Sequence, residues 1–316
     1  MQKLLAILGL ALWLPTVVLA AADSADLNRQ LREAALGNQT EQVRSLLNQG
    51  AQVDASNEFG VTPLMLAVEG GSVQCAAFLL SRGAQVNARS RAGLTPLIAA
   101  VEHNQPAISA MLVEMGANVY DRTQSGWDAL MIAARNGNDL LVAQLLDFHA
   151  DITASDREGQ TALSWAVTHG HDAVVKLLLA HHANPNQADR KGVTPLMRAV
   201  EQHQTAIATL LLAQGAKVNL QDALGASALH WAAEQGQAAL FTLLLTQQVE
   251  VNLTDAEGNT PLMEAASQGH VALVQQLLLK GADSTLRNQA GFTAQQLAEQ
   301  QGHQAVAKLL QMPATP

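Results

Sequence analysis

Apolar and polar positions along this chain follow a pattern that restarts every 33 residues. Glycines stand at Gly60, Gly93, Gly126, Gly159, Gly192, Gly225, Gly258 and Gly291. Two residues after each comes a short signature. It reads Thr62-Pro63-Leu64, Thr95-Pro96-Leu97, Asp128-Ala129-Leu130 and Thr161-Ala162-Leu163, then Thr194-Pro195-Leu196, Ser227-Ala228-Leu229, Thr260-Pro261-Leu262 and Thr293-Ala294-Gln295. A leucine pair and a loop such as Gly83-Ala84-Gln85-Val86-Asn87 come later in each repeat. A hydroxyl ahead of an apolar run caps a helix, and proline suits the first turn, where its missing N–H has no partner to lose. The pattern therefore predicts a short helix A, Pro63 to Glu69 in the first full repeat, a turn at Gly71, and helix B over Val73 to Arg82. Gly83 supplies the left-handed residue that ends helix B, and Ala84 to Ala92 run on as an extended finger. So short a repeat cannot bury its own apolar face, so neighbours must stack.

The period and the Thr-Pro-Leu signature resemble the ankyrin repeat, and the resemblance covers about residues 27–312. It implies an all-α solenoid of about nine repeats with extended finger loops, in a single domain over 23–316. The expected divisions are an N-terminal capping repeat over 27–59, seven regular repeats over 60–290 and a C-terminal cap over 291–312. Arg29, Gln30, Arg32 and Glu33 at one end and Gln295 and Gln296 at the other give the caps the polar outer faces that solenoid ends need. The chain departs from the family's Thr-Pro-Leu-His at Met65, Ile98, Met131, Met197 and Met263, and only His230 keeps the histidine. That puts the family's Thr–His hydrogen bond in question, not the fold. The resemblance also implies a curved stack with fingers and helix A on the concave side, and protein–protein recognition as the activity.

Residues 1–22 read as a secretory signal peptide. Lys3 precedes an apolar run over 4–18, broken by Gly9, Pro15 and Thr16, and small residues follow. Cleavage after Ala20 and after Ala22 both fit. A membrane anchor is the rival reading, but the run is short of the roughly 20 residues a span needs, and no later stretch is apolar enough. Export to the periplasm is expected, with secretion as the alternative and no membrane insertion once the signal is removed. A net charge of −9 argues against a nucleic-acid partner drawn by phosphate attraction.

The chemistry search returns little. There is no nucleophile elbow, zinc-protease motif, phosphate loop or dinucleotide fingerprint. Cys75 occupies the register of Val174, a core position, which predicts an inert thiol. His171, His270 and His303 follow a turn glycine and read as helix-B starts; His103 and His169 share a register two repeats apart, too far to share a metal. His149 and His182 replace the helix-ending glycine, which predicts left-handed strain instead of a ligand site. Asn38-Gln39-Thr40 and Asn252-Leu253-Thr254 match the glycosylation sequon by chance. No catalytic residue, metal or cofactor is assigned, and a convergent titratable pocket is not expected in so regular a stack.

What varies from repeat to repeat on the finger and helix-A side is free to bind. The position after each glycine reads Val61, Leu94, Trp127, Gln160, Val193, Ala226, Asn259 and Phe292, and four of the first five are apolar. Phe59 extends that stripe. The helix-A ends form a second column of Glu69, Glu102, Arg135, Thr168, Glu201 and Glu234, beside His103 and His169. The competing readings are that the stripe covers the neighbouring finger and the acidic column serves solubility. The candidate partner-binding set is Phe59, Val61, Glu69, Leu94, Glu102, His103, Trp127, Arg135, His169, Val193, Glu201 and Glu234, centred on Trp127, Leu94 and Val193. Protonation near pH 6 at His103 or His169 is a conceivable control. The expected function is a monomeric, non-enzymatic scaffold that binds another periplasmic or exported protein as an adaptor or stabiliser. The alternative is an inhibitor or immunity protein that neutralises an exported effector.

Overall fold

The computed structural model describes residues 14–311, with side chains from Ser24 onward. Residues 1–13 of the expected signal peptide lie outside the described residues, and both expected cleavage points fall on the backbone of the first helix. By contacts the chain divides into two compact bodies. The first runs to Ala133 and takes in Asp147–Ala150; the second comprises Ala134–Leu146 and Asp151 onward.

The first body holds α1 (Leu14–Leu36), α2 (Thr40–Asn48), α3 (Pro63–Glu69), α4 (Val73–Ser81), α5 (Pro96–Glu102) and α6 (Pro106–Glu114). Within it α1 packs on α3 and α3 on α5, while α2 packs on α4 and α4 on α6. The next two helices, α7 (Ala129–Arg135) and α8 (Asp139–Asp147), each have residues in both bodies. The second body continues with α9 (Ala162–Thr168), α10 (Asp172–Ala180), α11 (Pro195–Glu201), α12 (Thr205–Ala213) and α13 (Ala228–Glu234). It ends with α14 (Ala238–Leu245), α15 (Pro261–Ser267), α16 (Val271–Leu279), α17 (Ala294–Gln300) and α18 (Gln304–Gln311). Here α9, α11, α13, α15 and α17 stack in one row and α10, α12, α14, α16 and α18 in another. Among the described residues the only β pairing is two isolated bridges, Ser155–Thr161 and Gln221–Ser227.

The helix boundaries follow from the caps. Thr62 Oγ1 accepts the Met65 N–H at 3.3 Å, and Thr95, Thr194 and Thr260 do the same for Ile98, Met197 and Met263. Asp128 serves in their place for Met131, at 2.9 Å. The capping bond survives the loss of the family histidine because it runs from backbone N–H to hydroxyl. Only Ser227 adds the histidine bond: its N–H donates to His230 Nδ1 at 3.1 Å, and the Nε2–H donates to the Asn259 carbonyl at 3.2 Å. Helix B ends at Ser81, one residue before the sequence suggests. Beyond it the Gly83 N–H reaches the Leu80 carbonyl and the Ala84 N–H the Leu79 carbonyl, a Schellman closure with Gly83 at φ +85°.

Within each body the apolar faces meet in a shared interior. Leu64, Ala67 and Val68 of α3 and Cys75, Ala76 and Leu79 of α4 are fully buried, as are Leu163-register leucines throughout. Each such leucine contributes on the order of 2 kcal/mol by leaving water. The Cys75 thiol sits in this interior, and burial pushes its pKa up to about 11, so it is protonated and unreactive. Among the described residues no helix is long and apolar enough to cross a membrane.

His149 and His182 do take left-handed backbone, at φ +62° and +66°. His182 completes the same closure as Gly83, with its N–H on the Leu179 carbonyl and that of Ala183 on Leu178. Gln248, at the same register, avoids that conformation; α14 ends one residue early and the closure is not made. A non-glycine residue held left-handed costs on the order of 1 kcal/mol. His182→Gly should therefore raise the melting temperature by about 2 °C, read by thermal circular dichroism; a fall would show that the imidazole contributes more than the backbone loses.

Candidate functional site

The fingers are built on one polar column. Asn57 Oδ1 accepts the Phe59 and Val61 N–H groups at 2.9 and 3.0 Å, closing the fingertip around Gly60. Asp156, Asp189, Asp222 and Asp255 repeat this with one carboxylate oxygen each, at 2.8–3.0 Å. Successive fingers are then tied by backbone. The Arg91 N–H donates to the Phe59 carbonyl at 2.8 Å in the first body, and the Arg190, Ala223, Ala256 and Gln289 N–H groups make the equivalent bond in the second. This column is absent from the sequence reading, although its 33-residue step was open to inspection.

The expected residues divide unequally. In the first body Phe59 is 61% exposed, Glu69, Glu102 and His103 are exposed, and Val61, Leu94 and Trp127 are half-buried at finger bases. In the second body Val193 is only 7% exposed. It is a core side chain at the foot of its finger, so it leaves the proposed centre of the site. Glu201 is already engaged, taking Arg198 Nη1 at 2.7 Å. Arg135 is half-buried and its carbonyl accepts the His171 Nε2–H at 2.9 Å. His169 stacks between Trp165 and His171, with centroids 5.9 and 6.1 Å away. Burial, His171 and Arg135 all hold its pKa below the ordinary histidine value, so His169 stays neutral further into acid. Glu234 is exposed, and its carbonyl accepts from His270 at 3.1 Å.

The second carboxylate oxygen of each finger aspartate looks to the residue nine positions on. Trp165 Nε1 donates to Asp156 at 3.0 Å, Arg198 Nη2 to Asp189 at 3.0 Å, and Trp231 Nε1 to Asp222 at 3.1 Å. Trp165 and Trp231 are thus half-buried donors as well as packing groups. At Asp255 the residue nine on is Glu264, which brings a second acid instead of a donor. A cavity of about 530 Å³ opens there, lined by Asp222, Leu224, His230, Trp231, Glu234, Asp255, Glu257, Asn259 and Glu264 among others. The expectation that the stack offers no convergent titratable pocket is corrected by it. The cause is local: one substitution turns a donor column into an acid pair. Both nitrogens of His230 are committed to backbone and its pKa is lowered by burial, so the carboxylates are the pocket's available titrating groups. Among the described residues no three His, Cys, Asp or Glu side chains are placed to hold a metal ion.

Burial raises the Glu264 pKa to about 7, and the Asp255, Glu234 and Glu257 carboxylates push the same way against an opposing hydrogen bond from Asn259.

A family model described as ankyrin repeats matches three stretches of the chain, residues 31–123, 130–222 and 229–315. No curated protein matches the chain significantly.

Between the ordinary glutamate value and about 7, the folded chain keeps a proton on Glu264 that the unfolded chain has released. Stability therefore falls as pH rises through that window. Glu264→Gln removes this dependence. Its melting temperature should match the parent below about pH 4.5 and exceed it increasingly up to about pH 7, where the gap levels off. A gap that is constant with pH would show that Glu264 titrates normally.

Proposed function

The chain belongs to the ankyrin-repeat family, and from that premise we propose that it is an exported, non-enzymatic scaffold that holds a protein partner on its finger and helix-A surface. Ankyrin repeats mediate protein–protein interaction, and fold alone does not choose the partner. The observation that carries the reading is the contrast between constant and variable positions. Caps, helix-ending residues and finger aspartates recur because the stack needs them, whereas the residue type changes from repeat to repeat at the registers of Phe59, Val61, Leu94 and Trp127. In the first body these apolar groups lie at exposed or half-buried positions in the fingers, and Phe59, Val61 and Leu94 lead into the helices α3 and α5 that end at Glu69, Glu102 and His103. Tryptophan at such a place is the residue type that most often dominates an interface. An adaptor or stabilising role in the periplasm fits a scaffold whose buried histidine and thiol are both chemically quiet.

Capture from periplasmic extract tests the site. Trp127→Ala should lower recovery of the bound partner by about tenfold or more, with helicity unchanged; equal recovery removes Trp127 from the interface. Export is tested separately by fractionation. The full chain should appear in the periplasmic fraction, and a chain beginning at Ala21 should stay in the cytoplasm; the same distribution for both would remove the signal-peptide reading.

A further inference from the structure

The column of finger aspartates contains its own template for a ligand. At Asp189 the chain seats a guanidinium: Arg198 bonds Asp189 at 3.0 Å and Glu201 at 2.7 Å while only 19% exposed. Two repeats later Asp255 keeps the same finger geometry, but Glu264 stands where the donor should be. Asp255 Oδ2 has no hydrogen-bond partner among the described residues, since both bonds to Asp255, from Glu257 and Asn259, fall on Oδ1. The open cavity lies at this point, with Trp231 and the 72% exposed Leu224 as its apolar lining.

We infer that this cavity seats an arginine side chain of a partner protein, its guanidinium between Asp255 and Glu264 with Glu234 nearby, and its stem along Trp231 and Leu224. The proposal rests on the reading of this surface as a protein-recognition face and names one chemistry it takes. Charge complementarity selects the occupant. The groups facing Glu264 are Asp255 and Glu257 from the finger, Glu234 and His230 from α13, and Asp222 from the preceding finger. The neighbouring cation, Arg287, is turned away onto the Gly291 carbonyl and Gln296. His270, at the start of α16, is held by the Glu234 carbonyl. Among the described residues no cation pairs with Asp255 or Glu264, and a planar fork of donors matches two carboxylates better than an ammonium does. Seating requires Glu264 to ionise, so capture strengthens as pH rises and weakens in acid.

The test titrates a defined probe directly onto the whole protein, so its failure would leave capture through Trp127 untouched. The peptide N-acetyl-Leu-Arg-Leu-amide is followed by NMR through the Trp231 indole N–H. Binding should be about tenfold tighter at about pH 8 than at about pH 5.5, and about tenfold tighter than that of the citrulline or lysine peptide at the higher pH. Glu264→Gln should weaken binding and flatten its pH dependence. Glu264→Arg, which restores the donor within the chain, should abolish it, with an unchanged circular dichroism spectrum showing that the fold persists. Equal binding of the citrulline or lysine peptide, or undiminished binding by Glu264→Arg, would overturn the assignment.

Discussion

Everything in this molecule depends on the register between one finger and the next. The finger-to-finger backbone bond, such as Ala256 N–H to the Leu224 carbonyl at 2.7 Å, brings two main chains together at a distance that leaves no space for a side chain. A Cβ on Gly225 would fall 2.8 Å from the Ala256 nitrogen and 3.0 Å from Asp255, and these are backbone atoms that cannot swing aside. Glycine there answers to the neighbour as much as to its own φ of +75°. Gly291, which no further finger meets among the described residues, has nothing within 4 Å of its Cβ position. The glycine spacing thus records contact between repeats, while its persistence in the last repeat records only the local turn.

A second set of bonds sets the same register on the helix side. His171 and His270 donate across to the carbonyls of Arg135 and Glu234 in the preceding repeat, and Gln237 donates to Val200. The two rings lie over the turn glycine, so Gly137 and Gly236 have no room for a Cβ beneath His171 and His270. At Asn38 the turn residue is itself left-handed, at φ +57°, and its side chain donates to the Gly70 carbonyl. His171 and His270 are thus hydrogen-bonded rungs that hold neighbouring repeats in line.

These constraints explain what could be read in advance. Helix A over Pro63–Glu69 and the left-handed histidines were legible because caps and turns are local, and the stack was legible because the repeat cannot exist alone. Val193 was misplaced because its neighbours in the column are half-buried, and sequence does not reveal which member of such a column sinks fully into the core. The finger aspartates were missed for a different reason. Asn57, Ser90, Thr123 and Asp156 look like ordinary loop composition until the structure shows each closing a fingertip through the N–H four residues on. The nine-residue link from Asp189 to Arg198 crosses from finger to helix, a distance no local pattern reports.

Glu264 is informative because it breaks a rule whose purpose is now visible. A buried or half-buried acid is tolerated when a donor meets it, as Trp231 meets Asp222. Placing a second acid at Asp255 forfeits that bond and adds repulsion, which the raised pKa of Glu264 registers. Stability alone gives no reason to keep such a pair, since a tryptophan or arginine at this register is already used elsewhere in the chain. A locally unfavourable choice in an otherwise consistent stack is where function is expected. The same carboxylates that repel each other in the isolated chain are two acceptors held apart by a rigid finger and a rigid helix. The repulsion that raises the Glu264 pKa is the same charge that the proposed guanidinium would meet.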